Sequence, residues 1–305
     1  MFDDMYYRHS GRFSVTGVVA GLAAGTLAAV ALSFVYSYAT LYVPWVYASV
    51  LICLAYAAGI GFSSVASMVQ FKVRSTLMMT VVTLFTTTVG FYVCWVVWLF
   101  ALLRRGNEDV NLVSMLSQPT EIWDLVLDVN RLGAWTIGKN GNPVTGIFLW
   151  VVWAGEALMI FGVPIAIVCN AIAKPFCEEC ETWCKEQKAI AVLSVDDAES
   201  LRGRMEAKEF AYLERIGPAP LGAGQWTQLD LYVCPNCGKT TTLTVSEVTE
   251  RVNRKGEKST STKTFVNKLL LDPAQTETLR QTCGRIEAKR LGSIETEATP
   301  TEPAS

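Results

Sequence analysis

No charged side chain interrupts the 59 residues from Phe13 to Phe71, and none interrupts the 29 from Ser75 to Leu103. Each run is longer than the roughly 20 apolar residues that cross a hydrocarbon layer of about 30 Å. The contrast continues along the chain. The first 173 residues carry 8 Lys+Arg and 8 Asp+Glu, whereas the last 132 carry 18 and 20. A wholly soluble protein and a single-core enzyme of 305 residues are both excluded on this pattern. The formal net charge of −2 gives no reason to expect nucleic acid or another polyanion as a partner.

Four spans are expected, at about 13–38, 45–70, 75–103 and 144–172. The turn between the first two contains Pro44, which cannot continue a helix. Tyr36, Tyr38, Tyr42, Trp45 and Tyr47 gather around it, as amphipathic rings do at headgroup depth. The first apolar stretch is longer than the h-region of a signal peptide, about 7 to 15 residues, and is read as a retained helix behind a leader at 1–12. Four spans place both termini on one side, but the flanking cations do not choose it. Arg8, Arg12, Lys72, Arg74 and Lys174 oppose Arg104, Arg105, Arg131 and Lys139. The cysteines choose instead. Five of the six that follow span four lie in close groups with metal-ligand spacing, which fits a reducing compartment, so both termini are expected in the cytoplasm.

Within the spans, Gly17, Gly21, Gly25, Ala29 and Ser33 recur at four-residue spacing, and Ala55, Gly59, Ser63 and Ser67 do the same in span two. Helix association in lipid depends on close backbone approach, so such stripes mark packing faces, within one chain or in a homo-oligomer. Glu156 is the only charged residue type inside any span. Two readings fit it: a proton or cation relay with Thr83 and Thr87 as polar neighbours, or an interhelical hydrogen bond. In the connection 104–143, Ile122, Leu125, Val129 and Leu132 repeat at helical spacing, which predicts a surface helix over about 120–132, with Trp123 and Trp135 beside it. Turn chemistry follows at Gly138 to Pro143.

Two CxxC pairs, Cys177/Cys180 and Cys234/Cys237, stand 53 residues apart. A CxxC turn aims two sulfurs at one ion, and two such knuckles complete a tetrahedron. The run Cys234-Pro235-Asn236-Cys237-Gly238-Lys239 resembles the knuckle of zinc-ribbon and rubredoxin-type domains, although the first pair lacks the Pro and the Gly. The resemblance covers only these few residues. It implies Cys177, Cys180, Cys234 and Cys237 as ligands of a structural Zn2+, and a β-hairpin around the second pair. Alternation at Leu229, Leu231 and Val233, and the β-branched run Thr240 to Val245, support that hairpin. A thiol-redox pair at Cys234/Cys237 and an iron-sulfur cluster including Cys184 are the competing chemistries. Four thiolates leave a metal no open position, so the metal is expected to hold together a small domain with a thin core.

The rest of the polar part reads as an inserted helix over 194–216, a second hairpin turning at Asn253 to Lys258, a helix from Asp272-Pro273 to Gly292 that docks Leu279, Cys283, Ile286 and Leu291, and a disordered tail at 293–305. The fold class is therefore an all-α bundle of four transmembrane helices (13–173) with a carboxyl-terminal α+β, zinc-ribbon-like domain (174–292). The layout resembles multi-pass bacterial plasma-membrane proteins, a likeness that carries no activity. No phosphate loop, nucleophile elbow or HExxH occurs, and His9 is the sole histidine. Three functions remain open on the sequence. The first is a membrane anchor presenting a zinc module to a protein partner. The others are a small transporter or channel component using Glu156, and a membrane thiol oxidoreductase.

Overall fold

The computed structural model describes residues 5–43, 45–133, 143–220, 222–252 and 256–297; of Val46 and of 291–297 only the backbone is described. Pro44, Trp135, the turn at 138–142, residues 253–255 of the second hairpin turn and the tail beyond 297 lie outside the described residues. Two compact units divide at Ala173/Lys174, and the segment up to His9 belongs to the second of them.

The first unit contains four helices long and apolar enough to cross a membrane: α1 (Val15–Tyr42), α2 (Val46–Gln70), α3 (Thr76–Arg105) and α6 (Gly146–Ala171). Serine caps set two of the starts. Ser14 Oγ accepts from the Gly17 N–H at 3.1 Å and Ser75 Oγ from Met78 at 3.3 Å, so a donor that lipid could not satisfy is satisfied locally. Helix α1 packs on α2 and α3, and α6 closes the bundle against both. The stripe of α1 faces inward: Gly17, Gly21, Gly25, Ala29 and Ser33 are all buried. The stripe of α2 does not form the answering face. Ala55 is exposed and Ser63 half-buried, whereas Tyr56, Ile60, Ser64 and Met68 are buried one position away; of the stripe, Gly59 touches α1, at Leu32. A four-residue repeat of small residues cannot tell its own row from the next when the neighbouring row is larger but equally apolar.

Outside the span helices lie α4 (Leu112–Leu116) and α5 (Pro119–Leu132). Helix α5 lays Ile122 and Val126 on Val96, Leu99 and Met115. Ile122, Leu125 and Val129 of the expected row pack in this cluster, with Val126 and Asn130 buried beside them, whereas Leu132 is 76% exposed. Asn130 is buried with its side-chain amide donating to the Gly146 carbonyl, at the start of α6, at 3.0 Å, which supplies a partner for a polar group taken out of water.

In the second unit, β3 (Lys185–Leu193), β4 (Gln225–Val233), β5 (Thr241–Val252) and β6 (Lys258–Leu271) form an antiparallel meander in sequence order. Cross-strand partners Leu229/Val245 and Leu231/Leu243 place one sheet face against helices. There Leu201 and Met205 of α7 (Ala198–Glu206), Leu213 of α8 (Leu213–Ile216), and Leu279, Cys283 and Ile286 of α9 (Pro273–Glu297) complete a core. The inserted helix is thus two helices. Lys208 at φ 62° breaks it, and a short 3-10 turn, Phe210–Tyr212, follows. Helix α9 continues past Gly292 to Glu297.

The leader is part of this sheet. The Leu270 N–H donates to the Met5 carbonyl at 2.8 Å and the Tyr7 N–H to the Lys268 carbonyl at 2.9 Å, which adds residues 5–7 to the outer side of β6. Met5 and Tyr6 also pack on the core.

Candidate metal centre

Each CxxC pair sits in the turn of a β-hairpin. Cys177 ends β1 (Phe176–Cys177), which pairs with β2 (Thr182–Trp183) in the register Phe176/Trp183 and Cys177/Thr182. Cys234 and Cys237 lie between β4 and β5, where the Cys234 N–H donates to the Thr240 carbonyl at 2.9 Å and the Gly238 N–H to the Cys234 carbonyl at 3.1 Å. Gly238 has φ 67°, the left-handed conformation that glycine adopts without a Cβ penalty. The first knuckle reaches the same geometry with the wrong residue. Glu181 occupies the equivalent position, four after the first cysteine, and has φ 45°. The missing glycine is therefore a cost borne by this knuckle and not a different fold. Glu181→Gly is expected to raise the stability of the metal-loaded unit by about 1 kcal/mol; unchanged or lower stability in thermal unfolding would show that the strain is not there.

The four thiols converge. Cys177 Sγ and Cys237 Sγ, from different knuckles, are 3.7 Å apart, and all four sulfurs lie within 4.8 Å of one another. Sulfurs placed about 2.3 Å from a central ion at tetrahedral angles stand about 3.8 Å apart. A disulfide requires about 2.05 Å, and all nine cysteines are free. Cys177 and Cys234 are buried and Cys180 and Cys237 half-buried, so an ion held here would be largely shielded from water. Crowding by the Cys237 sulfur first, then burial, then the other two sulfurs, pushes the Cys180 thiol up to about 12. Four such thiolates do not coexist without a cation among them. A four-thiolate tetrahedral set suits zinc or iron.

The fifth cysteine stands aside. Cys184 is buried next to the cluster, and its Sγ reaches the Thr240 carbonyl at 3.7 Å. Burial and then the Cys234, Cys177 and Cys237 sulfurs push its thiol up to about 12, which suits a protonated donor and not a fifth ligand. Across the mouth, Lys239 Nζ meets Glu179 Oε2 at 2.7 Å, joining the two knuckles by an exposed pair of at most about 1 kcal/mol.

Tyr7 and His9 are site residues that the sequence reading left in the leader. The Phe176 N–H donates to Tyr7 Oη at 2.9 Å, and Tyr7 Oη lies 3.3 Å from the Phe176 carbonyl. The His9 ring stands edge-on to Tyr7 at 5.1 Å and near Trp183 at 6.0 Å. The available signal was the aromatic pair Tyr6-Tyr7, directly after Met5, in a leader that also carries Asp3, Asp4, Arg8 and Arg12.

The other candidate polar site lies in the helical unit. Tyr36 Oη of α1 donates to Glu156 Oε1 of α6, and the Tyr36 ring stacks on Tyr56 of α2 at 4.7 Å. Tyr56 Oη pairs with Ser33 Oγ at 2.9 Å, and Ser37 Oγ donates to the Cys94 carbonyl at 2.8 Å. Thr83 and Thr87 are fully buried on α3, and their hydroxyls have no hydrogen-bond partner among the described residues. Thr87 is seven residues, about 10 Å along the helix, from Cys94, which packs with Tyr36. No family model matches the chain, and no curated protein or solved structure matches it.

Proposed function

We propose that the chain is a polytopic membrane protein whose carboxyl-terminal unit binds one structural zinc ion through Cys177, Cys180, Cys234 and Cys237 and presents a surface to a protein partner in the cytoplasm. The observation that carries this reading is the convergence of four sulfurs from two hairpin turns. Zinc supplies no chemistry here beyond cross-linking, because four thiolates fill its coordination shell. The chain's own residues do the rest: the hairpins aim the sulfurs, and Tyr7, Phe176 and Trp183 brace the first of them. Zinc-ribbon architecture is supported by the two hairpin knuckles, and membrane anchoring by the four long apolar helices.

Against the thiol oxidoreductase stands the position of Cys234 and Cys237 between two strands, whereas a redox CxxC of the thioredoxin type opens a helix. Against an open relay at Glu156 stands Tyr36, which gives the carboxyl a protein partner between α1 and α6. The basic hairpin gives little support to nucleic acid, since Lys258 Nζ pairs with Glu250 at 2.8 Å and Lys263 lies opposite Glu247. Elemental analysis of the full chain purified in detergent under reducing conditions is expected to give about one zinc per chain. Iron with visible absorption would replace the zinc reading, and no metal in the presence of oxidised thiols would overturn the structural site.

A further inference from the structure

We propose that the first metal knuckle latches the amino-terminal segment, so that metal occupancy decides whether residues 5–9 are docked on the sheet. The proposal rests on the reading of the four cysteines as a metal site.

The segment is held by the core, on which Met5 and Tyr6 pack and where the Tyr6 hydroxyl donates to Glu206 Oε1 at 2.5 Å, and at two further places. One is the β6 edge, through two backbone hydrogen bonds at Met5/Leu270 and Tyr7/Lys268. The other is the knuckle itself. The Tyr7 hydroxyl takes the N–H of Phe176, the residue immediately before ligand Cys177, and His9 stands against Tyr7 and Trp183. A short β-edge pairing of three residues gains little by itself, because isolated short strand pairs are marginal in water. Beyond Tyr6 the aromatic brace holds Tyr7 and His9, and its geometry depends on a fixed β1–β2 hairpin only two residues long on each side. That hairpin buries Phe176, edge-on to Trp183, and Cys177 in a cluster with Cys184 and Cys234, and its two ligand sulfurs lie within 4.8 Å of those of the second knuckle. An ion that fixes Cys177 therefore fixes the Phe176 N–H, and with it Tyr7.

The coupling is reciprocal by linkage: whatever zinc contributes to docking, docking contributes to zinc affinity. In sequence the docked segment leads within five residues to Ser14, the cap of α1. The metal state of the polar unit is thereby written into the stretch of chain that opens the first apolar helix.

The test is hydrogen exchange read by mass spectrometry on the full chain in detergent micelles, with zinc measured in the same samples. Three states are compared: zinc-loaded, stripped with a chelator in the presence of a phosphine reductant, and zinc-loaded Tyr7→Phe. Stripping is expected to raise exchange at the Tyr7 and Leu270 amides at least about tenfold while the Leu229 and Leu243 amides stay protected. Tyr7→Phe is expected to do the same with zinc still bound, and to weaken zinc about tenfold in competition with a chromophoric chelator, the effect of leaving one buried donor unpaired. Protection at Tyr7 and Leu270 that survives stripping overturns the latch and leaves the metal site standing. Wild-type chain that binds no zinc overturns the metal reading, and the latch with it.

Discussion

Cys234→Ser is expected to weaken zinc binding about a hundredfold and to open the knuckle end of the second unit while the four-stranded sheet stays folded. The first number follows from sharing a structural binding energy of about 10 to 16 kcal/mol among four ligands, about 3 kcal/mol each. A serine hydroxyl does not replace a thiolate, being harder and protonated at neutral pH. The second part departs from the sequence expectation of a metal-held domain with a thin core. Sixteen buried residues from the sheet and helices form the core, among them Leu229, Leu243, Leu269, Leu279 and Ile286, and none is a candidate ligand. The knuckle end buries its cysteines together, with Phe176 against Trp183 and Tyr232 beside them. A metal ion bound by these cysteines would therefore hold one end of the unit, and its loss should be local. Because thiols give up protons to bind, affinity falls as pH is lowered, and loading near neutrality releases up to about four protons. Circular dichroism with amide exchange checks the structural part, and chelator competition between pH 6 and 8 checks the rest. Sheet amides that open together with the knuckle would mean that the metal holds the whole unit, and unchanged affinity would remove Cys234 from the ligand set.

What could be read from the sequence is what a local physical pattern determines. Long apolar runs, charge-free in the first three spans and broken by Glu156 alone in the fourth, fix the four long helices because the pattern needs no partner to be recognised. The second knuckle announces itself because Pro235 and Gly238 are the residues such a turn demands. What could not be read depended on contacts far along the chain. Strand β3 begins Lys185-Glu186-Gln187-Lys188, mostly exposed and without alternation, and is a strand because β4 pairs with it. The role of Tyr7 needs Phe176, 169 residues away. The inward place of Asn130 on α5 depends on the Gly146 carbonyl at the start of α6, a partner that offsets the preference of a polar side chain for the surface. Glu156 was visible as an oddity, but its partner was not. Tyr36 sits among the ring-rich residues that the sequence assigns to a membrane-surface belt, and the structure stacks it inside the bundle.

The inward stripe of α1 yields the second large effect, and it discriminates between two glycines that look alike in sequence. Gly25→Ala is expected to destabilise the helical unit by about 1 to 3 kcal/mol, and Gly21→Ala by clearly less. A Cβ at Gly25 would stand 2.7 Å from Thr86 Cγ2 and 2.9 Å from Ser64 Cβ. Neither atom can withdraw cheaply. Ser64 Cβ moves only with its backbone, and turning Thr86 about χ1 breaks the 3.0 Å bond from its Oγ1 to the Thr83 carbonyl. A Cβ at Gly21 would meet the Met68 Cγ at 2.5 Å and its Sδ at 3.1 Å, atoms of an unbranched, adaptable side chain. Alanine ordinarily gains up to about 1 kcal/mol over glycine inside a helix, so at Gly21 the two effects nearly cancel and at Gly25 the clash dominates. Close packing joins α1 to α2 and α3, and in a bilayer, where no hydrophobic drive acts between helices, such packing would be what holds them together. Unfolding in mixed micelles of rising SDS fraction, followed by tryptophan fluorescence, measures both variants. Equal stabilities for Gly25→Ala and wild type would mean that α1 does not approach Ser64 and Thr86 this closely, and would reopen its stripe as a face for a second copy of the chain.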